Sequence, residues 1–371
     1  MARRNSEDVA SLSRQELVVV ELRNRMVEGR LTPGSQLPHR VALAKEFGVS
    51  GVTIQRALDQ LAEEGHVHAV PGKGTFVVEH PHYRHRFGLV IPSERVPTEW
   101  QRSAQWSHFW TALIQAAETL SRVGPNRFTV YYGLGGHSDV PDAARLREDL
   151  AAARLAGLFL LGFRFQLDRL KLNLDRTPCI SFSAEPPTVI PDMSSFFTGA
   201  LDYLLARGRR QVAVLLPHQH WEHGRQIEAI FAQYGLSFPP HRKQFAWAWG
   251  NTEAIRNIVL LMLRGPKEER PDGLIIADDH LVTDATIGIV ASGRSVPGDL
   301  EVVAHANFPV ATVSHVPTLR RGFDAEAMLL AAVRLAQSGG GRAEIRIPAV
   351  NAEDLRHNGG MDPALLAGSI R

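Results

Sequence analysis

Residues Leu37–Val78 read LPHRVALAKEFGVSGVTIQRALDQLAEEGHVHAVPGKGTFVV, and their spacing decides how the N-terminal part of the chain folds. Ile54, Ala57, Leu58 and Leu61 recur at helical period, so they give a helix one buried face. Ser50 stands where an N-cap is needed and Gly65 where such a helix ends. A shorter helix over Arg40–Phe47 is expected to bury Val41, Leu43, Ala44 and Phe47 and to stop at Gly48. A connection as short as Gly48-Val49-Ser50 forces the two helices to cross steeply, the helix-turn-helix geometry, with the second helix shaped for a DNA major groove. His66–Val70 and Thr75–Val78 read as strands around Pro71-Gly72-Lys73-Gly74, a hairpin wing with a cation at its tip. The candidate DNA contacts are Arg40, Ser50, Gly51, Thr53, Gln55 and Arg56 on the helices and Gly72, Lys73 and Gly74 on the wing.

This stretch resembles the winged helix-turn-helix of GntR-type regulators. The matching residues include Leu37-Pro38, Leu43-Ala44, Phe47-Gly48-Val49-Ser50, Thr53-Ile54, Arg56-Ala57-Leu58, Glu64-Gly65 and Gly72-Lys73-Gly74-Thr75-Phe76. It departs at reading positions. His39-Arg40 stands where the family has Ser-Glu or Ser-Arg, and Gly51 and Gln55 replace two common arginines. The resemblance therefore implies DNA binding with an atypical operator or a modest affinity. A winged helix used only for protein contacts is the alternative.

The remaining composition bounds the rest. With 371 residues and 44% hydrophobic content the chain should hold two or three domains. A net charge of +2 is no argument for nucleic acid, so only the local distribution of cations is. The single cysteine, Cys179, excludes an internal disulfide and fits a reducing cytoplasm. No apolar run is long enough to span a bilayer, and MARRNSEDVASLS lacks the core of a signal peptide. Ser13-Arg14-Gln15-Glu16 is a capping box, opening a helix whose Leu17, Val20, Leu22, Met26 and Val27 should face the helix-turn-helix. This gives a reader domain over 1–79, a basic, histidine-rich linker over 80–86 and a tail over 356–371.

From Phe87 the pattern alternates. Strands are predicted at Phe87–Ile91, Phe128–Tyr132, Gly157–Leu161, Cys179–Phe182, Gln211–Leu215, Gln244–Trp247, Gly273–Ala277 and Leu300–Ala304, with amphipathic helices between most of them. Such alternation implies an α/β fold with parallel sheets flanked by helices and ligands beyond the carboxyl ends of the strands. Residues Arg270–Asp279 and Val296–Val303, with Phe87–Pro92 and Asp192–Val214, resemble the periplasmic-binding-protein-like sensor of LacI-type regulators. The resemblance implies two lobes over 87–355, lobe one from about 87–183 and 317–355 and lobe two from about 192–306. Crossovers would fall near Ser183–Pro191, near Asn307–Val316 and beyond Gly341. A GntR-type reader on a LacI-type sensor is the architecture of arabinose-repressor-type proteins.

That resemblance also points to a cleft. Asp279 matches the family's effector-binding aspartate, and His108-Phe109-Trp110 matches the aromatic pair opening the first long helix. Arg164, Phe182, Trp221, Trp249 and His305 lie at or just after predicted strand ends and could line the same cleft, or be packing residues of the core and hinge. Trp221 stands near the family's usual arginine, and Ala306 replaces the aspartate of its Gly-Phe-Asp motif, so the effector can differ from a free monosaccharide. Three further signals could suggest an enzyme. His218-x-His220-x-x-His223 has metal-ligand spacing, Gly133-Leu134-Gly135-Gly136 follows a strand as a phosphate loop would, and Asp278, Asp279 and Asp284 could form a carboxylate pair. The histidines lack an acidic or cysteine partner, the glycines lack the Lys-Ser/Thr of a P-loop, and the resemblance accounts for Asp279 without catalysis. The reading is a homodimeric regulator, a repressor, binding double-stranded operator DNA and a sugar-like effector, with no catalytic residue, metal, cofactor or membrane partner. The alternative is a hydrolase or other enzyme with an accessory winged helix.

Overall fold

Ser13 and Glu16 close the capping box. Ser13 N–H donates to Glu16 Oε2 at 2.6 Å and Glu16 N–H to Ser13 Oγ at 3.3 Å, which starts α1 (Arg14–Val27). The computed structural model describes residues 13–27, 29–78, 85–92, 107–135, 140–161, 170, 172, 174, 177–183, 185–217, 224–246, 252–310, 312–339 and 341–358. The buried face of α1 is Val18, Val19, Leu22 and Met26, whereas Leu17 and Val20 are exposed. The expected stripe was thus rotated by one position at its start, because four consecutive apolar residues leave the phase of the helix open. After α1 come α2 (Arg40–Phe47) and α3 (Gly51–Glu63), then the hairpin β1 (Val67–Val70) and β2 (Gly74–Val77). Leu43 of α2 is fully buried, but Val41 is 80% exposed, so the short helix offers a narrower face than its composition suggests.

The second part holds two sheets of six strands. Lobe one is built on β13-β7-β6-β5-β3-β4, all parallel, where β3 is Arg86–Val90, β4 Arg127–Tyr131, β5 Gly157–Leu160, β6 Cys179–Ser181, β7 Thr188–Asp192 and β13 Glu344–Pro348. Lobe two is built on β14-β12-β11-β10-β8-β9, parallel except for its edge strand. Here β8 is Val212–Pro217, β9 Lys243–Ala246, β10 Gly273–Ile276, β11 Glu301–Phe308, β12 Leu319–Asp324 and β14 Val350–Asn351. Their centres are apolar. Phe87 stacks on Phe159 at 5.2 Å in lobe one, and Val214, Ile275 and Val303 are fully buried in lobe two.

The chain passes between the lobes three times. The third crossing lies beyond Gly341 as expected, and the first two fall later than expected. Val350–Asn351 join the lobe-two sheet, not lobe one. β7 lies in the lobe-one sheet and runs at Asp192 straight into α6 (Met193–Ala206), numbered after α4 (His108–Val123) and α5 (Pro141–Ala151) of lobe one. β12 lies in the lobe-two sheet, so residues 319–324 do not belong with lobe one, and the second crossing follows Asp324 rather than Asn307–Val316. The third separates β13 from β14 at Ala349. Arg321 holds this region together. Its guanidinium donates to Ser195 O at 2.9 Å, Phe196 O at 3.3 Å, Ala349 O at 3.1 Å and Asn351 Oδ1 at 2.9 Å, while Ala349 N–H donates to Ser195 Oγ at 2.7 Å. The adjacent Gly322 has no room for a side chain, since a Cβ there would lie 1.7 Å from Ala306 O.

Reader and lobe one touch at the carboxyl end of α5. Arg23 of α1, with 7% of its side chain exposed, donates to Ala151 O at 3.0 Å and to Glu64 Oε2 at 2.5 Å. His66 Nε2 lies 3.4 Å from Ala152 O. Cationic and N–H donors at a helix C-terminus satisfy carbonyls that the helix leaves open and meet the negative end of its dipole. Burial, followed by the charge of Arg23, pulls the His66 pKa down, so His66 is neutral when docked. A base whose folded pKa is lowered contributes stability above its unfolded value of about 6.5 and loses that contribution as the pH falls through the folded value. Acidification from about pH 8 to about pH 5.5 should therefore lower the melting temperature of the wild type more than that of His66→Gln. Parallel pH profiles would show that His66 does not couple proton uptake to folding.

Candidate nucleic-acid interface and inter-lobe cleft

The reading helix is fixed at both ends by its own sequence. Gly48 takes φ 62° and ends α2, a left-handed conformation that a β-carbon disfavours. Ser50 caps α3, with Thr53 N–H donating to its Oγ at 3.1 Å and the two hydroxyls 2.9 Å apart. At the far end, Gly65 N–H donates to Ala62 O and His66 N–H to Leu61 O, the paired bonds of a Schellman stop. Ile54, Ala57, Leu58 and Leu61 are all buried. On the opposite side Arg40 donates to Gln55 at 3.1 Å and Gln55 to Asp59 at 2.8 Å, while Gly51 is exposed with open space around it. The wing is held by Gln36, whose amide donates to Lys73 O at 2.6 Å, and by Leu37 N–H, which donates to Thr75 O. Gly72 and Lys73 are exposed at its tip, with Gly74 starting β2. Arg56 is placed differently. It lines a 740 Å³ crevice with Gln15 and Glu63 of the reader and Arg86 and Arg154 of lobe one.

Two helix N-termini meet across the cleft. In lobe one, Ser107 Oγ accepts from Phe109 N–H at 3.2 Å and starts α4 at His108. In lobe two, Asp278 follows β10 and accepts from His280 N–H at 2.8 Å, starting α9 (Asp279–Ser292), the third helix after α6 following α7 (Gly224–Gln233) and α8 (Thr252–Arg264). Asp279 is 2% exposed. Its Oδ2 accepts from Asn307 Nδ2 at 2.8 Å, and its Oδ1 lies 3.5 Å from His108 Nδ1 and 3.3 Å from His280 Nδ1. His280 Nδ1 also lies 2.9 Å from Asp278 Oδ1. Burial alone would raise the Asp279 pKa. The contacts from His108 and His280, with the charges of His305 and His280, outweigh it and hold the carboxyl well below the usual carboxylate range. Burial likewise opposes the charge on His280, but its two carboxylate partners push its pKa up to about 10. His280 and Asn307 were absent from the sequence reading. His280 directly follows the recognised Asp279, and Asn307 was read as the start of a crossover, although β11 runs on to Phe308.

The other expected cleft residues divide. Trp110 is half-buried on the first turn of α4. Phe109 and Phe182 meet edge to face at 6.1 Å, and Phe182 also meets Phe159, so both belong to the core of lobe one. His305 on β11 is wedged between Phe196 and Phe323 near the hinge. Arg164, Trp221 and Trp249, with the histidines at 218, 220 and 223, lie outside the described residues. Asp284 is drawn away from Asp279 into a pair with Arg256 at 2.7 Å. Leu134 is buried and its N–H donates to Ile91 O, so the described part of the glycine-rich segment is a packed turn. Among the described residues no helix is long and apolar enough to cross a membrane.

A winged helix-turn-helix joined to a two-lobed α/β receptor defines a DNA-binding transcriptional regulator. The profile of the bacterial regulatory proteins of the gntR family matches residues 14–77, and that of the periplasmic binding protein-like domain matches residues 201–347. The chain is 21% identical to the arabinose metabolism transcriptional repressor of Geobacillus stearothermophilus over 334 residues, 84% of this chain and 88% of that one. Over 58 residues, 16% of this chain and 24% of the relative, it is 45% identical to the mannosyl-D-glycerate transport/metabolism system repressor of Escherichia coli K12. Among solved structures it is similar to a LacI family regulator from Arthrobacter sp. FB24 in complex with lactose, at a TM-score of 0.51 and 18% identity over 72% of this chain and 97% of that one. It is also similar to a CelR–cellobiose complex, at 0.50 and 18% over 85% and 98%. At these identities the structural likeness bears on the fold alone.

Proposed function

We propose that the chain is a cytoplasmic, homodimeric repressor and not an enzyme, and that a sugar or sugar derivative held between the lobes controls its grip on operator DNA. The observation that carries the reading is Asp279, a buried carboxylate at the junction of two lobes that are tied to a DNA reader. A carboxylate fixed by Asn307 can accept hydrogen bonds from sugar hydroxyls while the face of Trp110 covers a ring. The names of the relatives support the repressor reading, and the lactose and cellobiose bound to the structural neighbours support a sugar-like effector.

On DNA, the N-terminal turn of α3 with Ser50, Gly51, Thr53 and Gln55 would enter the major groove, Arg40 would reach phosphate from α2, and Gly72, Lys73 and Gly74 would bring the wing to the backbone. Arg56 joins them only where the crevice beside lobe one leaves it free. A dimer reads a palindrome by setting two such helices about 34 Å apart. Lobe closure changes that spacing, and an effector shifts the balance only by its differential affinity for the closed form.

Lys73→Ala should weaken operator binding and reduce the slope of log affinity against log salt by about one. An unchanged slope would remove the wing tip from the phosphate contacts. In operator titrations with a panel of sugars, an active sugar should change affinity for a two-half-site operator far more than for a single half-site. An equal effect on both would sink the spacing mechanism. Asp279→Ala should lose the response and keep DNA binding, whereas a variant that responds at wild-type sugar concentrations would refute the cleft assignment.

A further inference from the structure

The outward face of α3 carries an apolar side chain that the core leaves out. Val52 is 63% exposed on the first turn of the helix. The reader's core is filled from the other side of α3, by Ile54, Ala57, Leu58 and Leu61. Val52, Arg56 and Asp59 stand at i, i+4 and i+7, a stripe turned away from that core. A β-branched side chain loses rotamer freedom in a helix, and here it gains no burial in return.

In a helix-turn-helix the N-terminal residues of the second helix meet the base edges. The neighbours of Val52 in that part of α3 are otherwise engaged. Gly51 has no side chain, and the open space around it lets the backbone come close to a ligand. Thr53 N–H donates to Ser50 Oγ and the two hydroxyls lie 2.9 Å apart, so both serve the cap. The Gln55 amide is held between Arg40 and Asp59. Arg56 lines the crevice beside lobe one, and Val52 does not. Val52 is thus the side chain of the first turn with no role inside the protein.

What an isopropyl group can read is narrow. In the major groove guanine, cytosine and adenine are told apart by donors and acceptors, whereas thymine adds a C5-methyl group. A polar base edge set against valine would lose its water and gain no hydrogen bond. We propose that Val52 reads the C5-methyl group of one thymine in each operator half-site. The inference rests on the placement of α3 in the major groove and adds a base that α3 selects.

The test recovers duplexes from a randomised pool with the full-length protein, with and without the panel of sugars. Each thymine of a recovered half-site is then replaced in turn by deoxyuridine, which keeps the pairing edge and the O4 acceptor and lacks only the methyl group. At one thymine per half-site the replacement should weaken binding about fourfold, the worth of one methyl-sized apolar contact. Val52→Ser should weaken binding to the thymine duplex and bind the uracil duplex as the wild type does, so that both changes together cost no more than either alone. Thr53→Ser, which keeps the capping hydroxyl, should stay sensitive to uracil. Melting temperatures check that the variants fold, and the uracil series on the wild type needs no variant. The absence of a uracil-sensitive thymine, or a sensitivity that persists in Val52→Ser, would overturn the assignment and leave α3 on DNA. Recovery of no duplex would overturn that placement and the assignment with it.

Discussion

A carboxylate as enclosed as Asp279 must find its counter-charge inside the protein, because an unpaired buried ion costs more than a fold can carry. Lobe two supplies part of the answer through His280 and Asn307. From lobe one, His108 Nδ1 comes within 3.5 Å of Asp279 Oδ1. The carboxylate therefore sits on one lobe while the groups around it are drawn from both. The angle between the lobes therefore decides how closely His108 faces Asp279.

The hinge is compact enough to make that angle meaningful. The three crossings at 192–193, 324–325 and 349 are gathered by Arg321, whose donors reach carbonyls on both sides. Burial depresses the Arg321 pKa, and bonds to backbone carbonyls supply hydrogen-bond partners without a carboxylate in direct contact among the described residues. Gly199 leaves the room it needs, since a Cβ there would fall 2.3 Å from the guanidinium. The crossings thus lie close to one cluster of hydrogen bonds centred on Arg321.

Much of this was legible from residue spacing. The winged helix-turn-helix followed from one run of 3.6-residue spacing, one cap and one glycine stop, all local features. The parallel sheets followed from apolar runs such as Gly273–Ala277. What hid were elements whose apolar signal is interrupted by residues serving the hinge. β7 contains Pro191 and follows Pro186-Pro187, in a stretch expected to be a crossover, yet β7 meets β6 only at Thr188, so the missing N–H of Pro191 disrupts no ladder bond to that neighbour. β12 reads LRRGFD, with two arginines and a glycine in six residues, because Arg321 and Gly322 are there for the crossings. The cleft was half visible. Asp279 and His108 were found through a resemblance, whereas the pairing of His280 with them depends on two helix starts meeting from different lobes, which no local pattern encodes.

The contact of Arg23 and His66 with the end of α5 bears on how such regulators are assembled from modules. The reader is joined to the sensor by covalent linkage, but it is seated by two side chains that satisfy carbonyls of Ala151 and Ala152. A foreign reader grafted ahead of this sensor would inherit the linkage without the seat. Compatibility between modules then depends on whether the incoming helix carries a cation at the position of Arg23 and a donor at that of His66, more than on the length of the segment that joins them.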